Sequence, residues 1–78
     1  MRKEKFLEES ELASLAKKFR EKAGKTKAEA ARELGVSRST IQHAEDYPEK
    51  SLTGLRRRMI EAYSANRVVG PRFWLEKQ

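Results

Sequence analysis

Arg38, Ser39, Gln42 and His43 stand close together near the middle of a 78-residue chain, and all four carry hydrogen-bonding side chains. Arg38 and Gln42 are four residues apart, so a helix through them brings both to one face. A guanidinium there can bond guanine O6 and N7 together, and an amide can do the same with adenine N6 and N7. Ser37 and Ser39 add hydroxyls suited to a phosphate or a base, and His43 can meet either. This is chemistry of recognition rather than turnover. His43 is the one histidine and cysteine is absent. The carboxylates are spread along helix faces opposite lysines and arginines, as in solvated i, i+4 pairs. No catalytic residue, metal ligand set or cofactor site is therefore expected, and the chain is read as no enzyme.

Two short helices joined at Gly35 must position those side chains. The stretch TKAEAARELGVSRSTIQHAED, residues 26–46, opens with Thr26 and Glu29 spaced as a capping box. Ala28, Ala31 and Leu34 follow at helical spacing as an inward face. Gly35 stands where the chain leaves the helix, at a position that calls for positive φ. Ser37 is placed to cap a second helix over 38–45, with Ile41 and Ala44 facing inward. Arg38, Ser39, Gln42 and His43 then remain outside.

In Thr26, Glu29, Ala31, Leu34-Gly35-Val36-Ser37, Ile41 and Glu45 the chain resembles the Cro/phage-repressor (XRE) family of helix-turn-helix DNA-binding proteins. The run LGVSRSTI carries most of the likeness, which extends more loosely from Leu12 to Tyr63. It departs at Lys25 and Lys27, where an apolar residue and a glutamine are common, and at Ala30 and Ala44, where larger apolar residues are usual. The resemblance implies an all-α fold, a small four- to five-helix lambda-repressor-like domain to which a short C-terminal β-strand could be added. It implies that helix 38–45 enters the major groove of double-stranded DNA. Arg38, Gln42, Ser37, Ser39 and His43 are then the candidates for base contact. The N-terminus of the helix from Thr26 would abut a phosphate. Thr26, Lys25 and Lys27 are candidates there, the lysines being otherwise solvated loop charges. Lys50, Ser51 and Thr53 follow as second-rank phosphate contacts. Glu45 is read as a structural partner.

Upstream, Leu12, Leu15, Ala16, Phe19 and Ala23 line one face of a helix that Gly24 ends, with Lys17, Lys18, Arg20 and Lys22 elsewhere on it. Residues 1–9 are either an arm or the start of that helix. Downstream, Pro48 limits the second helix of the pair to Tyr47 at the latest. Tyr47 either packs inward or meets a phosphate. Ser51 is expected to cap a fourth helix from Leu52 to about Ala65, with Leu55, Met59, Ala62 and Tyr63 on its stripe and Ile60 at its border. Gly54 within it suggests close packing or a ragged start. Arg56, Arg57 and Arg58 point in three directions, as a solvated face with one or two near phosphate. A domain over 10–66 is followed by an extended segment over 67–78. There Gly70-Pro71 separates Val68-Val69 from Phe73-Trp74-Leu75, residues that either cover the core or pair with a second subunit.

Eighteen basic against twelve acidic residues give a net charge of +6, which suits a polyanion. No apolar run approaches the roughly 20 residues of a membrane span, and no signal-peptide stretch is visible, so a cytoplasmic location is expected. Together with the resemblance, this implies a transcriptional regulator: a homodimer on a palindromic operator, repressing its own operon in a phage or mobile element. The alternatives are an antitoxin whose Phe73, Trp74 and Leu75 dock on a toxin, or an antirepressor that keeps the fold for protein contacts.

Overall fold

The computed structural model describes residues 8–69 and 74–78. Of the segment expected over 1–9, residues 1–7 lie outside them, as do the break at Gly70-Pro71, Phe73 and the side chain of Trp74. The elements are α1 (Glu9–Lys22), α2 (Lys27–Leu34), α3 (Arg38–Asp46), α4 (Thr53–Tyr63), β1 (Asn66–Val69) and β2 (Trp74–Lys77). This is the all-α helix-turn-helix fold expected from the sequence, with four helices among the described residues. Where one strand was expected there are two, paired as an antiparallel hairpin.

Both glycine turns follow from backbone geometry. Gly24 and Gly35 adopt φ of +74° and +72°, the left-handed region open to glycine at little cost. After α1 the Lys25 N–H returns to the Arg20 carbonyl at 3.1 Å, and after α2 the Val36 N–H returns to Ala31 at 3.0 Å. Each reversal thus satisfies carbonyls that the helix end would leave orphaned. Leu12 and Ala16 of α1, Ala30 and Ala31 of α2, Ile41 and Ala44 of α3, and Leu55, Met59 and Ile60 of α4 meet in one core, joined by Val68 of β1. Ala30 and Ala44 are fully buried, so small side chains at these places bring helices together rather than leave the core open.

Several expectations change. Ala28 is exposed and Ala30 is buried instead, because the inward face of α2 runs through 30, 31 and 34. Ala23 lies past the end of α1 and is exposed, and Ala62 is exposed while Ile60 is in the core. Ser51 does not cap α4: Leu52 is the N-cap residue and makes no side-chain cap bond. Gly54 is not a site of close packing, since a Cβ added there meets nothing within 4 Å. The ragged start is the reading that fits.

Two arginines expected on the surface are buried. Arg20 donates from Nε to Glu45 at 2.5 Å, from Nη2 to the same carboxylate at 3.0 Å, and from Nη1 to the Lys25 carbonyl at 2.7 Å. Arg56, with no exposed surface, donates to the carbonyls of Ala44 at 2.8 Å, Tyr47 at 2.8 Å and Lys50 at 3.0 Å, and to Glu9 at 2.5 Å. A buried cation is tolerated when it is paired and its nitrogens are bonded, and each of the three guanidinium nitrogens of both arginines has a partner. Arg57 and Arg58 also bond carbonyls, those of Val68 at 3.1 Å and Leu34 at 2.8 Å. The arginine run is thus largely turned to structural work.

In the hairpin, Val68 pairs with Leu75 and Asn66 with Lys77. The Gln78 N–H donates to the Ala65 carbonyl at 2.8 Å, which sets the alternation of the ladder. By that alternation the polar backbone of Val68 points away from β2. Glu61 accepts its N–H and Arg57 donates to its C=O, both at 3.1 Å. Side chains of α4 therefore close the outer edge of β1 at this residue.

A candidate nucleic-acid interface

The N-terminus of α2 is built by its own sequence. The Glu29 N–H donates to Thr26 Oγ1 at 3.0 Å and the Thr26 N–H to the Glu29 carboxylate at 2.8 Å. That second bond is the main cause that lowers the Glu29 pKa. The N–H groups of Lys27 and Ala28 take no partner among the described residues. With only a methyl group at Ala28, the positive end of the helix stays open to an anion. Lys27 is half-buried and its ammonium makes no hydrogen bond or ion pair among the described residues.

Lys25 is placed differently. Its Nζ donates to Glu33 at 2.8 Å, and the other oxygen of Glu33 accepts from the Tyr63 hydroxyl at 2.6 Å. Lys25 is raised and Glu33 lowered, in each case chiefly by their mutual hydrogen bond. Burial, then the bond to Glu33, pushes Tyr63 up to about 12. Lys25 thus reaches a phosphate only in competition with Glu33.

On α3, Ser37 caps the helix by accepting the Thr40 N–H at 3.1 Å. Its oxygen also lies 2.7 Å from the Thr40 hydroxyl and 3.2 Å from that of Ser39. Ser37 and Ser39 are therefore tied into the helix start. Ile41, Ala44 and Glu45 are the buried residues. At about 100° per residue, the direction opposite them falls on Ser39, His43 and Asp46. Arg38 and Gln42 flank that line on one side, and Thr40 and Tyr47 on the other. Arg38 is exposed and Gln42 half-buried, and neither side chain is bonded among the described residues. The His43 ring stands edge-on to Tyr47, with centroids 5.3 Å apart and planes at 71°.

Of the loop candidates, Lys50 and Ser51 are exposed. Thr53 is half-buried and its hydroxyl donates to Glu9 at 2.7 Å, towards α1. Val68 is buried in the core and Leu75 is packed against it, while Val69 is half-buried.

What the sequence reading missed is the frame. Arg20 joins α3 to the loop before α2, and Arg56 holds the last turn of α3 and the loop behind it. A signal was present: Arg20 continues the Leu12–Ala16 row at i+4, and Arg56 lies four residues from Leu52 and four before Ile60. Asp46 also belongs to the outward surface and was not proposed for it, and Tyr47, expected either to pack inward or to meet a phosphate, is exposed at its flank.

Residues 11–46, from the first turn of α1 to the end of α3, match a family model described as a helix-turn-helix domain. No curated protein and no solved structure matches the chain. The match covers the three helices that form and support the site, and it supports DNA as the partner. Among the described residues no helix is long and apolar enough to cross a membrane.

Proposed function

We propose that the protein is a sequence-specific transcriptional regulator of the Cro/phage-repressor kind, which reads double-stranded DNA with α3 in the major groove. One observation carries this reading. A short helix whose Arg38 and Gln42 are unengaged among the described residues is clamped at its far end by two buried arginines, beside an open helix N-terminus whose Lys27 has no partner among the described residues. Recognition needs such rigidity, since a bidentate contact holds only when its side chain is delivered in a fixed place. Arg38 and Gln42 read bases, with His43 and the hydroxyls of Ser37 and Ser39 in supporting contact. Thr26, Lys27 and the α2 N-terminus hold phosphate, with Lys25, Lys50, Ser51 and Thr53 bordering the backbone.

Binding as a homodimer on a palindrome accompanies this reading. Val68 and Leu75 pack on the core, so the hairpin serves as a lid, and the outer edge of β1 is taken at Val68. The outward backbone groups of β2 at Leu75 and Lys77 have no such partners among the described residues, which favours β2, with the Phe73–Leu75 segment, as the edge for a second copy. As a repressor, such a dimer would occlude the promoter of its own operon.

The test is binding of labelled duplexes by the protein and two variants. Arg38→Ala is expected to weaken the preferred site by about 1–3 kcal/mol and random DNA far less. Lys27→Ala is expected to weaken both alike and to lower the salt dependence by about one counterion. Equal losses on both duplexes for Arg38→Ala would remove it from base reading.

A further inference from the structure

Tyr47 is the one large apolar residue counted as exposed among the described residues, at 41% of its surface. Its backbone, by contrast, is held at both polar atoms. Its N–H donates to the His43 carbonyl at 3.0 Å. Its own carbonyl accepts from the buried Arg56 at 2.8 Å and from the Lys50 N–H at 3.0 Å. A loop residue fixed this firmly does not carry an exposed aromatic ring through slack. The ring stands against the imidazole of His43 one turn earlier, which lies close to the outward axis of α3.

We propose that Tyr47 is a positioning residue for DNA recognition: its ring restricts the imidazole of His43 to one orientation, so that His43 reads a base edge in the major groove. This rests on the DNA-binding reading above and deepens it. A lone histidine on a helix surface samples several rotamers, and each lost rotamer costs binding free energy. An edge-to-face neighbour at i+4 removes that freedom before DNA arrives, while leaving the ring nitrogens to bond a base edge. Packing of the ring does this, and the phenolic hydroxyl is not required. The chain from Glu9 through Arg56 to the Tyr47 carbonyl then links α1 to the specificity of α3.

The test starts from the duplex that the wild-type protein enriches from randomised DNA. Binding is measured on that duplex and on a set with each base pair changed in turn, for His43→Ala, Tyr47→Ala, Tyr47→Phe and the double variant His43→Ala/Tyr47→Ala. His43→Ala should flatten the preference at one base pair. Tyr47→Ala should weaken the same preference by about 3- to 10-fold, the scale of an aromatic pair, and leave preferences lost in Arg38→Ala untouched. Tyr47→Phe should match the wild type, and the double variant should lose no more than His43→Ala alone. A wild-type motif that Tyr47→Ala leaves unchanged, or weakens equally on every duplex, overturns the pairing alone, as do additive losses in the double variant. A wild-type protein that enriches no motif overturns the DNA reading and the pairing with it. Because Tyr47 is exposed, its variants should melt with the wild type. A Tyr47→Ala protein that does not fold leaves Tyr47→Phe and Tyr47→Leu to decide: Phe retains the preference and Leu loses it, and any other order overturns the proposal.

Discussion

Gly54 occupies the first turn of α4 in open space, where an added Cβ meets nothing within 4 Å and φ is not positive. Alanine there removes backbone freedom from the unfolded chain without strain in the folded one. Gly54→Ala is expected to stabilise the protein by about 0.5–1 kcal/mol, read as a rise in Tm of roughly 2–8 °C. Tyr63 gives a second test. Its pKa is pushed up to about 12 from an ordinary 10.0, so the folded state keeps its proton after the unfolded chain has lost it. The stability this contributes is complete below pH 10 and is lost as pH rises through about 12. Denaturation midpoints should fall over that window, and Tyr63→Phe should flatten the fall. Glu29 and Glu33 act in the opposite direction. Their pKa values are lowered, so what they contribute is present above the ordinary carboxylate range and is lost as pH falls through their folded values.

At the scale of elements, the orientation of α3 depends on Arg20 and Glu45, whose side chains are 7% and 0% exposed. Glu45→Ala leaves a buried guanidinium without its anion, a change that costs about 3–5 kcal/mol. Urea denaturation should show that loss. Arg67→Ala on the hairpin breaks an exposed pair with Glu76 and should cost less than about 1 kcal/mol. The contrast explains which parts of the fold were legible in the sequence. Helix ends were, because the Thr26–Glu29 box, Ser37 and the two glycines act on neighbours within five residues. The apolar stripes of α1 and α4 were, in outline. The roles of Arg20 and Arg56 were not, since their partners lie as far as 25 and 47 residues away and a guanidinium on a stripe reads first as a surface charge. Ser51 misled because a good capping residue one place too early cannot reach the helix, and Ala28 because three alanines in the four residues 28–31 leave the buried face undecided. That Arg38, Ser39, Gln42 and His43 lie off the buried face of α3 was legible. The order among them was not, because which flank of α3 faces outward depends on how α1 and α4 hold its back.

For the whole molecule, a charge of +6 on 78 residues would supply attraction to DNA without sequence preference, and in the proposed reading α3 supplies the preference. The two contributions separate with salt: affinity for random DNA should fall steeply with ionic strength, at a slope of about −0.9 per phosphate contact, while the ratio of preferred to random binding should change much less. A single small domain makes few base contacts, so a two-fold arrangement through β2 would set the spacing of what is read. The most direct measurement is selection of bound duplexes from a randomised pool by the purified protein at near-physiological salt, followed by sequencing. Enrichment of an inverted repeat with half-site centres about one helical turn apart, ~34 Å, is the expected result. Recovery of sequences no different from the starting pool, with the protein folded throughout, would contradict the claim that α3 reads DNA.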